Sequence, residues 1–117
     1  MEVIYLAGPV TKPDPFTNVL RAIRVADDLM DKGFAVIIPH LSYFQQKYGE
    51  ARDVGDYGKG YELWLKIDFE FIRRSDGLYR MSGFSLGADR EVEFAKSINR
   101  PVFYTIKELL AFNFWGK

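Results

Sequence analysis

Four short apolar runs alternate along the chain with longer segments whose apolar residues recur at helical spacing. Val3-Ile4-Tyr5-Leu6-Ala7 is stopped by Gly8-Pro9, and Ala35-Val36-Ile37-Ile38 by Pro39. Gly77-Leu78-Tyr79-Arg80 and Pro101-Val102-Phe103-Tyr104 complete the set. Runs this short read as buried strands. Between the first two lies Phe16 to Lys32, with Val19, Ile23, Ala26 and Met30 at helical spacing and Gly33 as the stop. Further helices are expected from Tyr61 to Arg74, after the Ser82 turn, and from Ile106 to Phe114. The four glycines from Gln45 to Gly60 predict a mobile loop. Strands separated by helices pair in parallel, which predicts an α/β fold of three layers, its parallel sheet of four to five strands covered on both faces.

Composition narrows what such a fold can do. At 117 residues the chain supports one ordinary core, so residues 1–117 are read as a single domain. Lys plus Arg and Asp plus Glu each number 16. That balance argues against a binder of nucleic-acid polymers, which needs a basic surplus to neutralise phosphates. Without cysteine there is no thiolate zinc site and no thiol nucleophile, and with His40 as the single histidine no metal centre is expected. No apolar run is long enough to span a bilayer, and the first residues lack the charged-then-apolar order of a signal peptide. No membrane partner is expected, and the cytoplasm is the expected location.

In open parallel sheets, ligands bind beyond the carboxyl ends of the strands, beside a switch in strand order. The loops leaving the first three predicted strands hold Gly8-Pro9-Val10-Thr11, Pro39-His40 and Ser82 to Gly87. Two carboxylates stand where apolar residues belong. Asp68 interrupts the stripe of Tyr61, Trp64, Leu65, Phe71 and Ile72, while Glu91 has Ala88, Ala95 and Ile98 as its i−3, i+4 and i+7 neighbours. Taken singly, each has an ordinary alternative: Asp68 pairing with an arginine or capping a loop, Glu91 pairing with Arg90 or Arg21. Taken together, two carboxylates in a semi-apolar cleft are the equipment for glycosidic bond cleavage, one as nucleophile and one as proton donor. Ser85 and Gly87, just before a helix, offer a hydroxyl and free amides to an anion, although a serine there is commonly just an N-cap.

These residues resemble the nucleoside 2-deoxyribosyltransferase superfamily, and in particular its 2'-deoxynucleoside 5'-monophosphate N-glycosidase branch. The resemblance covers most of the chain: Ile4-Tyr5-Leu6-Ala7-Gly8-Pro9, the Asp68-to-Asp76 stretch DFEFIRRSD, and the SLGADREVEFA block followed by Arg100-Pro101-Val102-Phe103-Tyr104. It implies a three-layer Rossmann- or flavodoxin-like fold. It further implies that Glu91 meets the anomeric carbon, that Asp68 assists departure of the base, and that the Tyr5 hydroxyl orients the glutamate. Ser85 and the amides around Gly87 would hold a 5'-phosphate, and Gly8 and Pro9 would pass beneath the nucleotide.

Two departures stand out. Glu93 occupies a position where the family often has glycine, and Thr11-Lys12 replaces an arginine-bearing loop, leaving Lys12 or Arg90 to supply positive charge. The resemblance implies hydrolysis or transfer at the N-glycosidic bond of a nucleoside 5'-monophosphate or nucleoside, with no cofactor. It also implies a homodimer or higher homo-oligomer, for which Phe112, Phe114 and Trp115 are candidate contacts. The rival expectation is a non-catalytic nucleotide-binding or regulatory module on the same fold.

Overall fold

The computed structural model describes residues 1–48 and 59–115. In chain order they form β1 (Val3–Ala7), α1 (Pro15–Asp31), β2 (Ala35–Ile37), a 3₁₀ turn (Pro39–Leu41), α2 (Ser42–Tyr48), α3 (Lys59–Arg73), β3 (Gly77–Arg80), α4 (Leu86–Ser97), β4 (Val102–Phe103) and α5 (Ile106–Ala111). Asp14 starts α1, its carboxylate accepting from the Thr17 amide at 3.3 Å and the Thr17 hydroxyl at 2.6 Å, with Pro15 pre-set for the first helical position. A reciprocal capping box between Thr105 and Glu108 starts α5.

All four strands run parallel, in the order β2-β1-β3-β4. Val3 of β1 lies opposite Ala35, Tyr5 opposite Leu78, and Leu78 opposite Val102. The chain thus lays β2 on one side of β1, then returns to lay β3 and β4 on the other. The order switches at the β1–β3 boundary.

Strand alternation sorts side chains to the two faces. Ile4 and Leu6 pack with Ala22, Ala26 and Leu29 of α1 and with Leu109 of α5. Tyr5, Ala7 and Leu78 pack with Ile72 of α3 and Ala88, Val92 and Ala95 of α4. The result is the expected three-layer Rossmann- or flavodoxin-like arrangement, with four strands.

Several boundaries differ from the sequence reading. The buried stripe of α1 is Val19, Ala22, Ala26 and Leu29, while Met30 is exposed, so the helix is rotated by part of a turn. Phe71, expected on the buried side of α3, is also exposed. The loop expected from Gln45 to Gly60 is helical at both ends: residues 45–48 continue α2, because Gln45, Gln46 and Lys47 are good helix formers, and residues 59–60 open α3. The remainder, 49–58, lies outside the described residues.

β4 ends at Phe103, because the Tyr104 amide donates to the Glu108 carboxylate at 2.8 Å instead of to the ladder. The last helix ends at Ala111, not Phe114. Phe112 turns extended, and its ring meets Phe103 at 5.2 Å and Phe114 at 4.8 Å. Phe114 also contacts Phe34 and Phe103, so this aromatic, expected to touch another copy, is half-buried within its own chain; Trp115 remains exposed.

Candidate functional site

The site is assembled at the switch point from three elements, one strand and the two helices that cover one face of the sheet. Tyr5 projects from β1, flanked by buried apolar neighbours, and is itself fully buried. Its hydroxyl donates to Glu91 Oε2 on α4 at 2.6 Å, a buried hydrogen bond joining residues 86 positions apart in sequence. Asp68 approaches from α3, close enough for its carboxyl group to act as hydrogen-bond partner to both Glu91 and Tyr5. Asp68 is half-buried, whereas Glu91 is buried. Glu91 takes its bond from a tyrosine, and Arg21 is committed elsewhere, donating to the Ser82 carbonyl and hydroxyl at 2.7 Å each.

Burial sets the electrostatics. Loss of solvent pushes Asp68 up to about 7, against the hydrogen bonds from Glu91 and Tyr5 that hold it down. Burial and then the Asp68 charge push Glu91 up to about 8, with the Tyr5 hydrogen bond and the Arg80 charge opposing. Two carboxylates this close do not both ionise readily, so near neutrality they hold protons between them and titrate as a pair. Burial, together with both acids, raises the Tyr5 hydroxyl well above its usual value, which keeps it a donor.

The loops beneath this group fit together tightly. Gly83 has φ +119, and a Cβ there would stand 2.8 Å from Pro9 Cγ, so glycine alone lets the β3–α4 loop meet the β1–α1 loop. A Cβ on Gly8 would stand 3.0 Å from Met81 Cβ and 3.6 Å from His40 Nε2. Loops after β1, β2 and β3 therefore converge, as the topology predicts. Asn18 holds the first of them, its amide donating to the Val10 carbonyl at 3.1 Å and the Lys12 carbonyl at 2.9 Å. His40 is fully buried beside the Gly8 and Pro9 peptide groups; burial lowers its imidazole to about 4, so it is neutral.

The remaining predicted residues divide. Ser85 is the N-cap of α4, its hydroxyl accepting from the Ala88 amide at 3.0 Å, and Gly87 follows in the first turn facing open space. Both stand at the carboxyl end of the sheet. Lys12 does not join the carboxylates: it lines a separate groove of about 600 Å³ with Pro9, Arg21 and Phe84. Glu93 is exposed in a groove of about 810 Å³ with Leu86, Arg90 and Tyr104, so this departure from the family pattern does not crowd the carboxylate pair.

Sequence reasoning missed Arg80. This buried residue ends β3, donates to the Met81 carbonyl and to the Gly83 carbonyl at 3.0 Å, and pairs with Asp89 of α4 at 3.0 Å. The signal was present: a charge closing an apolar strand is as anomalous as a carboxylate on an apolar helix face. Among the described residues, no group of three or more His, Asp or Glu is placed to hold a metal ion, and no helix is long and apolar enough to cross a membrane.

Residues 2–104 match the family described as "Domain of unknown function (DUF4406)". The chain belongs to the DUF4406 family. The match takes in all four strands and both carboxylates, Asp68 and Glu91, of this DUF4406 protein. Among solved structures, a 2-deoxyribosyltransferase from the psychrotolerant bacterium Bacillus psychrosaccharolyticus shares its fold with a TM-score of 0.63 and 20% sequence identity, covering 96% of this chain and 93% of that one. The DUF4406 protein matches no curated protein sequence.

Proposed function

We propose that this protein cleaves the N-glycosidic bond of a nucleoside 5'-monophosphate, with Glu91 as nucleophile and Asp68 as general acid. The observation that carries this reading is the Tyr5–Glu91 hydrogen bond with a second carboxyl beside it, at the β1–β3 switch point. A buried carboxyl pair kept partly protonated by its surroundings supplies both a charge and a proton. The fold shared with a 2-deoxyribosyltransferase favours the same choice of bond.

In the free protein the two acids, both raised by burial, share their protons as a pair. Bound substrate sets which of them is ionised. Positive charge developing at C1' favours the ionised form of Glu91, which Tyr5 also stabilises, and the proton goes to Asp68. Glu91 then attacks C1', the C1'–N bond breaks with its electron pair on the base, and Asp68 delivers its proton to the base nitrogen. Water, or a second base, next attacks C1' and releases the Glu91 carboxylate, while Asp68 takes up the proton of the attacking group.

The phosphate is assigned to the start of α4. The Ser85 hydroxyl has spent one lone pair on the Ala88 amide but still has its hydrogen to donate, and the first-turn amides of α4 have no partner within the helix. The test is incubation of purified protein with a panel of ribo- and deoxyribonucleotides and the parent nucleosides, with chromatography for free base. Base release from a monophosphate is expected. Absence of release across the panel refutes the reading.

A further inference from the structure

Two side chains among the described residues bury polar nitrogens without a hydrogen-bond partner: His40, at both ring nitrogens, and Trp64, at Nε1. An orphaned buried donor is costly, which marks each as a group a ligand would satisfy. The His40 ring at least has the Gly8 and Pro9 peptide groups beside it. Trp64 is about nine-tenths buried, and its N–H has nothing.

The position of Trp64 gives that unpaired donor a meaning. It precedes Asp68 by four residues on α3 and so shares its helix face, about 6 Å along the axis. α3 leads through residues 74–76 into the amino end of β3, so its own C-terminus lies at the amino ends of the strands. Toward the α3 N-terminus the helix therefore advances to the carboxyl ends, where the substrate would lie. Trp64 stands one turn beyond Asp68 in that direction, and helical side chains lean further the same way.

An indole N–H donates and never accepts. A purine presents N7 and its 6-substituent on one edge, where a 6-oxo group accepts and a 6-amino group donates. With N7 at Asp68, the neighbouring 6-position is placed one side chain's reach away, and Trp64 lies one helical turn from Asp68 on the same face. We propose that the Trp64 indole N–H reads the departing base, donating to its 6-oxo group and so selecting 6-oxopurines over 6-aminopurines. This rests on the glycosidic reading for the role of Asp68, but the recognition itself requires only binding.

The two are separated by measuring binding without turnover. In a Glu91→Gln background with Trp115→Phe, so that one indole remains, the Trp64 N–H resonance is followed while 2'-deoxyinosine 5'-monophosphate or 2'-deoxyadenosine 5'-monophosphate is added. A downfield move with the inosine nucleotide only is expected. A resonance that stays put with both nucleotides, or moves equally with both, overturns the proposal. In the parent protein, kcat/KM should favour the inosine nucleotide by about tenfold, and Trp64→Phe should bring the ratio within about twofold by deleting the donor and keeping the ring. A ratio unchanged by Trp64→Phe overturns it as well. A moving resonance in a protein that releases no base leaves Trp64 as a base-reading group and refutes the glycosidic reading alone.

Discussion

The two faces of the sheet are built from the same strands and do opposite jobs. Beneath α1, Ile4 and Leu6 meet Ala22, Ala26 and Leu29, all fully buried and all apolar. Beneath α3 and α4, the next residue of the same strand, Tyr5, meets Glu91 and Asp68, and Arg80 of β3 is buried nearby. Burying those polar groups raises the acids and stabilises nothing by itself. One face holds the fold together, and the other places charge where the topology opens. A chain selected for stability alone has no reason to make them differ.

The largest effect should separate the faces outright. Glu91→Gln keeps shape and removes charge, so turnover should fall by on the order of a thousandfold or more with the fold retained. Leu29→Ala on the opposite face should do the reverse, lowering stability by roughly 2–5 kcal/mol while turnover per folded molecule changes little. Denaturant unfolding and base-release rates on both variants check the contrast.

Asp68→Asn should discriminate by leaving group. With a natural base, loss of general-acid assistance should cost about a hundredfold or more; with a nitrophenyl glycoside, which departs without a proton, the loss should be clearly smaller. Equal losses would return Asp68 to a positioning role. A smaller effect is expected at α4: Ser85→Ala should weaken a 5'-monophosphate by roughly tenfold and spare its parent nucleoside, as one hydrogen bond to a charged group would.

The smallest effect is on stability against pH. Both acids are raised in the folded state, so between their ordinary values and about 7 to 8 the native protein holds more protons than the unfolded chain. Stability therefore falls as pH rises through that window. His40, lowered to about 4, acts oppositely, but mainly below its ordinary value of 6.5. From pH 6.5 to 8.5 the acid pair outweighs the residual His40 contribution, and Tm should drop by about a few degrees. Glu91→Gln and Asp68→Asn should each flatten the slope, whereas Leu29→Ala should lower the curve without changing it.

What could be read in the sequence follows the same division. The strands were legible because buried parallel strands are short apolar runs, and the acids because they violate that same pattern. Partnerships were not legible. Nothing in the residues around position 5 says that its hydroxyl meets Glu91, since 86 positions separate them and only the β1–β3 pairing brings them together. The α1 stripe is ambiguous by part of a turn because two overlapping sets, 19-23-26-30 and 19-22-26-29, both keep helical spacing, and packing against the sheet decides between them. The final helix was read too long because Phe112 and Phe114 fit its period but gain more by folding back onto Phe103. The place of Lys12 in the first loop suggests the site, whereas the loop carries it to the neighbouring groove.

The most direct measurement is the fate of the sugar. A 2'-fluorinated nucleoside 5'-monophosphate, whose fluorine slows hydrolysis of a glycosyl ester, is incubated with the protein, quenched in acid, and analysed by intact mass and peptide mapping. If Glu91 is the nucleophile on the polar face, the protein gains the mass of one fluorinated sugar phosphate, on the peptide containing Glu91, and Glu91→Gln gains nothing. Base release without an adduct, or an adduct on any other residue, would contradict it.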